Sequence, residues 1–545
     1  MRRLFWTAMT VLLSVTFVPQ SIACTNFLVT PGASADGSSF ITYAADSHEL
    51  YGELYFTPGG VHGQGEMVDV VEWDTSKFLG RIPQAPVTYT VVGNMNEHQV
   101  SIGETTFGGR EDLVNPEGLI DYGSLMYLAL QRSRTAQEAI AVMTGLVEEF
   151  GYYSSGEAFS IADPKEVWYM VMIGRGKGNK GALWVAQKIP DGYVSAHANT
   201  PRMGTFPLKD KKNCLYSKDI IDFAREKGFY TGNDQDFHFS DAYAPLDWRD
   251  ARVCNARVWS FFRQIAPAQN IAANFIDGSR EDVELPMWIK PDEKLTLQDI
   301  KKGMRDHFEG TPLDLNTGVG AGPFEAPYRW RPLIWELDGK KYLNERATAT
   351  QQTGFSFVAQ MRTNLPDPIG GVLWFAVDDA ASTVYVPMYC GILEAPYNYR
   401  VGTGDFYHFS WDSAFWVFNW VANQAYARYK DIIVDIHAVQ WELEGAFSQS
   451  QQEVEAEALA LYKQSPRRAR EYLTKYSAGL AQKTVERWKK LGTELMMKYL
   501  DGNVRDSQGN ITHPPYPEQW YRRIIKDNGD RFRIRELAPT SPDSK

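Results

Sequence analysis

Ser21-Ile22-Ala23-Cys24-Thr25-Asn26-Phe27 sits where two kinds of sequence meet. Upstream, Arg2 and Arg3 open the chain and an apolar run from Ala8 to Val18 is interrupted only by Thr and Ser. Pro19-Gln20 ends the run, and Ser21 and Ala23 place small residues three and one positions before Cys24. A basic start, a short apolar run and a small-residue site are the anatomy of a cleavable secretory signal. Residues 1–23 are therefore expected to be a signal peptide, and the protein to be exported to the periplasm or the extracellular space. The run is too short to span a bilayer, and no later stretch reaches about 18 apolar residues, so no membrane insertion is expected.

Cleavage after Ala23 would make Cys24 the first residue of the mature chain. A terminal cysteine carries a thiol and a free α-amine on one residue, with ordinary pKa values of about 8.5 and about 7.7–8.0. The amine can take the thiol proton near neutral pH and return it to a leaving group. No histidine is needed, and none of the nine histidines sits in a catalytic motif. The competing use of such a cysteine is lipidation, which favours an aliphatic residue at the position of Ser21. Cys214, Cys254 and Cys390 complete the cysteine set. In an oxidising compartment Cys214 and Cys254 could be bridged, but connectivity is not readable from spacing.

Downstream of Cys24, Thr25–Thr30 and Ser38–Ala44 read as strands separated by Pro31-Gly32 and Asp36-Gly37. Val87–Val92 and Gln99–Phe107 flank Gly93-Asn94-Met95-Asn96 as a hairpin. Thr135 with Glu138 forms a capping signature for a helix that Gly151 ends. Ala158–Ala162 and Val167–Ile173 form a third hairpin around Asp163-Pro164-Lys165-Glu166. Strands joined by tight turns and mixed with helices predict antiparallel sheets, an α+β fold, rather than a doubly wound parallel sheet. Ser413–Glu444 and Ser450–Tyr499 are rich in helix formers and read as long helices, the second divided at Pro466. The expected organisation is a catalytic domain over 24–400 and a helical extension with a polar tail over 401–545.

The residues from Cys24 onward carry a family resemblance. Cys24-Thr25-Asn26-Phe27 with Ala33-Ser34-Ala35-Asp36-Gly37-Ser38 resembles the start of the thiol dipeptidases of the dipeptidase A and D type, in the N-terminal-nucleophile hydrolase superfamily. Asn96-Glu97-His98-Gln99-Val100-Ser101-Ile102-Gly103-Glu104-Thr105-Thr106 is similar to the family's second block. Gly156–Asp163 with Glu166-Val167-Trp168, and Val185-Ala186 through Pro190-Asp191-Gly192-Tyr193 to Ala198-Asn199, are similar to the third and fourth.

The resemblance implies a four-layer αββα fold and hydrolysis of dipeptides through a thioester on Cys24. It implies that Asp46 orients the terminal amine, with an exposed loop carboxylate as the alternative. It implies that Asn199 donates to the oxyanion, the alternative being a turn before Pro201. Asn96 is either a second oxyanion donor or the turn of its hairpin. Arg257 matches a family arginine near the thiol, or lies on a solvated helix face. Many relatives place an arginine three residues before the aspartate; here Tyr43 stands there.

Composition narrows the classes further. The chain has 545 residues, a net charge of −11 and 44% hydrophobic content. That is ample for a large buried core and offers no electrostatic case for nucleic acid. No cluster has metal-ligand spacing, so neither metal nor cofactor is expected. Gly174-Arg175-Gly176-Lys177-Gly178-Asn179-Lys180-Gly181 lacks the features of a phosphate loop and reads as a hairpin loop. The expected partner is a small peptide substrate. The rivals are an N-acyl amide hydrolase of the same superfamily, acting on a β-lactam side chain or a bile-salt conjugate, and a non-catalytic lipoprotein or binding module.

Overall fold

The computed structural model describes residues 24–272, 285–330 and 332–536. The expected signal peptide lies outside the described residues.

The ten principal strands are β1 (Asn26–Val29), β2 (Ser39–Asp46), β3 (Ser101–Gly108), β4 (Gly156–Ala162), β5 (Val167–Ile173), β6 (Leu183–Lys188), β7 (Val194–His197), β8 (Thr353–Met361), β9 (Val372–Val377) and β10 (Val386–Tyr389). The principal helices are α1 (Tyr122–Arg132), α2 (Ala136–Phe150), α3 (Ala256–Ile265), α4 (Leu297–Met304), α5 (Ala414–Ala427), α6 (Tyr429–Gln464) and α7 (Pro466–Lys498). One sheet runs Trp288–Ile289, β7, β1, β2, β8, β9, β10. The other runs Cys214–Tyr216, β6, β5, β4, β3, Met95–Asn96, Val91–Val92, Phe56–Thr57. Adjacent strands in both sheets are antiparallel, as the tight turns predict.

β5 explains how the layers form. Its seven residues are all buried, because the strand is covered on both faces. Val167, Tyr169, Val171 and Ile173 join the core shared with the first sheet, while Trp168, Met170 and Met172 join a second core with Leu125, Met126, Ile140, Met143 and Val147 of α1 and α2. Period-two alternation thus survives inside an unbroken apolar run. β1 and β2 pack against β3 and β4, so the sheets meet face to face, and α1 and α2 pack on β3 and β4. α5, α6 and α7 lie against β9 and β10 of the first sheet.

Thr135 caps α2 by accepting from the Glu138 N–H, and Gly151 ends it at φ +80°, a conformation open to glycine. α1 is absent from the sequence reading; Asp121 caps it through the Gly123 and Ser124 N–H groups. The Gly174–Gly181 loop joins the antiparallel neighbours β5 and β6, a hairpin loop as read. The long helices differ in their limits: α6 runs unbroken through Gly445, and the breaks fall at Arg428 and Ser465, with Pro466 opening α7. Phe418 stacks on Trp488 with centroids 4.8 Å apart, and both belong to the core that the two sheets share. The helical extension therefore continues that core.

Candidate active site

An isolated antiparallel bridge between Thr25 and Ala44 sets Cys24 against the end of β2, whose last residue is Asp46. Cys24 is fully buried. Its Sγ donates to Glu104 Oε1 at 3.5 Å and lies 3.9 Å from the Tyr43 hydroxyl. Tyr43 donates to the same Glu104 oxygen at 2.5 Å. Burial pushes the thiol pKa up, and the charges of Glu104 and Asp46 push it further; the Asp46 backbone N–H and Arg346 pull it down but do not prevail. The thiol is thus protonated in this setting and needs a base to become a nucleophile.

Asp46 is no exposed loop carboxylate: it is wholly buried. Its Oδ2 accepts from Arg346 Nη2 at 2.8 Å and its Oδ1 from the Thr353 hydroxyl at 2.6 Å. Burial raises its pKa to about 6 against the pull of Arg346, Thr353 and Arg257. Near pH 7 it is therefore mainly a carboxylate, and its charge reaches Cys24.

Arg257 is also fully buried, which removes the solvated-face alternative. It lies on α3, directly after a π-helical turn over Ala251–Asn255, a distortion frequent at functional sites. Nη1 donates to the Cys24 carbonyl at 2.7 Å and to the Thr25 hydroxyl at 2.8 Å. Nη2 donates to Asn199 Oδ1 at 2.9 Å. The guanidinium therefore grips the backbone of the nucleophile and orients a neighbouring amide. Asn199 has φ +59°, a conformation Asn tolerates better than most residues, and its Nδ2 donates to the Thr106 carbonyl at 2.7 Å.

The structure thus brings Cys24, Asp46, Arg257 and Asn199 together. It does not support Asn96 as an oxyanion donor. Both Asn96 amide hydrogens are used, on the Leu130 and Ser133 carbonyls at 2.7 Å each. Its Oδ1 accepts from the His98 and Val100 N–H groups. A carboxamide has only two hydrogens to donate, so Asn96 is the hairpin-turn residue of its two readings.

His197 lies on β7 opposite Asn26 of β1. Its ring nitrogens are engaged by the Thr105 and Ser160 hydroxyls at 2.7 and 2.8 Å. Burial, aided by Arg202, pushes its pKa well below the usual value. It is a neutral group that holds strands together. The four cysteines are buried and unpaired. Among the described residues no cluster of three or more His, Cys, Asp or Glu could hold a metal ion, and no helix is long and apolar enough to cross a membrane.

Sequence reasoning missed Glu104, Glu157 and Arg346. Glu104 and Glu157 are lone acids inside strands of otherwise apolar or small polar residues, β3 and β4, and that was the available signal. Thr106 of β3 pairs with Glu157 of β4, and its hydroxyl donates to Glu157 Oε1 at 2.8 Å. Burial raises Glu104 to about 7. Burial and the charge of Glu104 push Glu157 well above the carboxylate range. Two adjacent buried carboxyls that cannot both ionise share a proton.

The model of Peptidase family C69 matches residues 64–442, most of the chain. The chain belongs to peptidase family C69. It is a peptide-bond hydrolase. The match contains Glu104, Glu157, Asn199 and Arg257, and begins after Cys24 and Asp46. A probable dipeptidase of Salmonella dublin is 25% identical over 393 residues, covering 68% of this chain and 82% of that protein. A probable dipeptidase of Latilactobacillus sakei is 24% identical, over 69% of this chain and 76% of its own length. A probable dipeptidase B of Streptococcus pyogenes serotype M1 is 23% identical over 498 residues, covering 87% of this chain and 93% of that protein.

Proposed function

We propose that this C69 hydrolase is an exported thiol dipeptidase in which removal of residues 1–23 makes Cys24 nucleophile and base carrier at once. The observation that carries the reading is the setting of Cys24. Its carbonyl is fixed by Arg257, its sulfur adjoins Glu104 and Tyr43, and burial keeps its thiol protonated. A base must reach the sulfur, and the residue's own α-amine is tethered to it.

In this reading the amine accepts the thiol proton, and Asp46 stabilises the ammonium that forms. The thiolate attacks the scissile carbonyl. Asn199, oriented by Arg257, donates to the oxyanion, where preorganised donors act most strongly. Collapse breaks the C–N bond, and the ammonium of Cys24 gives its proton to the departing amine. Water, deprotonated by the amine, hydrolyses the thioester and restores the thiol. The two facing sheets with helices packed on each are compatible with the four-layer αββα arrangement of N-terminal-nucleophile hydrolases. The names of the three relatives support dipeptides as substrates, and the signal anatomy of residues 1–23 supports a periplasmic or extracellular location.

The test pairs mass and kinetics. The exported protein should begin at an unmodified Cys24. Cys24→Ala should keep its circular dichroism spectrum and lose dipeptide hydrolysis by about 10⁴-fold or more. An acylated Cys24, or full activity in Cys24→Ala, overturns the reading. N-acyl amides cleaved in preference to dipeptides would move the chain to the amidase branch of the same chemistry.

A further inference from the structure

A dipeptide differs from an N-acyl amide by a free ammonium next to the reacting bond. That nitrogen lies about 2.5 Å from the scissile carbonyl carbon. At attack the carbon sits about 3–3.5 Å from the nucleophile. The ammonium must therefore fall within about 6 Å of Cys24 Sγ. An enzyme that selects for it needs an anionic group in that shell.

Glu104 occupies it. Its Oε1 lies 3.5 Å from Sγ and is shared with Tyr43. Its Oε2 and Oε2 of Glu157 are buried with no donor from another residue, and the two carboxyls bond each other. Both residues are almost completely buried, at 0% and 1% exposure. The hydroxyl of Tyr152, itself fully buried, lies beside Ser154 and within the electrostatic reach of both carboxyls. Asp74, bonded by the Tyr122 hydroxyl at 2.8 Å, adds further negative charge toward the pair. Among the described residues neither Glu104 nor Glu157 makes an ion pair with a lysine, arginine or histidine. Buried carboxyls are ordinarily paired or hydrogen-bonded, since an unpaired one is costly. A pair left without a cationic side chain beside a nucleophile can receive a cation that the substrate brings.

We propose that Glu104, positioned by Glu157, binds the α-ammonium of the substrate's N-terminal residue and so restricts this enzyme to peptides with a free amino end. The inference rests on Cys24 as the nucleophile and says which amides that nucleophile reaches. When the ammonium enters, the proton shared by the two carboxyls settles on Glu157, and Glu104 meets the cation as a carboxylate. An N-acylated substrate brings no charge and leaves the pair unpaired.

The experiment measures kcat/KM for the best-cleaved dipeptide of a panel and for its des-amino counterpart, in which hydrogen replaces the ammonium. Sites built around a buried polar partner reject analogues lacking it strongly. The wild-type protein should favour the dipeptide by at least about 100-fold. Glu157→Gln should shrink that ratio by about 10-fold or more, mainly through KM for the dipeptide. Equal cleavage of the two compounds by the wild type overturns the proposal, whether or not the variant folds. So does a Glu157→Gln protein that loses activity on both equally, since the pair would then serve the nucleophile or its own amine. Absence of hydrolysis on every dipeptide overturns the Cys24 dipeptidase reading first, and this inference with it.

Discussion

Two buried groups of charges, one beside Cys24 and one under the long helices, are built on opposite plans. Under the helices, Lys301 of α4 is fully buried, with its Nζ 3.4 Å from Glu444 of α6 and 4.4 Å from the centre of the Trp374 ring. Arg305 reaches Glu444 Oε1 at 2.6 Å, and the Tyr385 N–H donates to the same oxygen at 2.9 Å. Burial alone would raise the Glu444 pKa, yet Lys301 and Arg305 hold it below the usual range. Every charge there faces an opposite charge or a ring. Beside Cys24, Glu104 and Glu157 face each other and Asp74, and burial holds both protonation equilibria high. The first arrangement joins the helical extension to the sheet. The second tolerates an electrostatic cost that the folded chain does not relieve, as functional sites commonly do.

The contrast breaks most easily at Glu444. Glu444→Gln keeps the shape and leaves Lys301 and Arg305 buried without their carboxylate. Removing one partner of a buried pair costs about 3–5 kcal/mol. Urea unfolding should show a loss of that order, with the change seated in the midpoint rather than the slope. A loss below about 1 kcal/mol would mean that the apolar contacts of α6 hold the extension and the balanced charges do little.

The acidic pair should show the opposite sign. The folded protein keeps a proton on Glu104 up to about pH 7, whereas an unfolded glutamate releases it near about 4.3. Between those values the folded state binds more protons, so stability falls as pH rises. The contribution is fully present below the unfolded pKa and is lost as pH passes through about 7. Glu104→Gln, which cannot ionise, should lose roughly 2–3 kcal/mol less than the wild type across that window. Chemical denaturation at pH 4.5 and pH 7.5 checks it, and parallel pH profiles for the two proteins would remove Glu104 from the strained group.

Much of this was legible in the chain. The turn residues located β1 and β2, the capping residue Thr135 located α2, and the family resemblance singled out Cys24, Asp46, Asn199 and Arg257, which the fold brings together. The misses share a physical cause. Gly445 and the serines near it look like a helix break, but Phe447 and Val454 are buried against the core, and tertiary packing outweighs local propensity. Arg428, where the chain does break, carries no Gly or Pro signal. Glu104 and Glu157 look like solvated strand acids until the register of β3 against β4 places both inside. Arg257 looks like a helix-face cation until α3 is seen to lean on the start of β1. Register and packing are long-range facts, and single-residue patterns carry them weakly.

Asn96 sharpens the comparison from a third side, because its polar atoms are all satisfied by backbone. It donates to the Leu130 and Ser133 carbonyls and accepts from the His98 and Val100 N–H groups. Asn96→Ala strands four buried or half-buried backbone groups, some of which water can reach. The expected loss is about 1–2 kcal/mol of stability, with kcat for dipeptide hydrolysis within a factor of about two of the wild type. A large fall in kcat at full stability would return Asn96 to the oxyanion. Asn96, whose bonds are complete, supports the fold, and the carboxyl pair beside Cys24, which has no cationic side chain against it, awaits the substrate's ammonium.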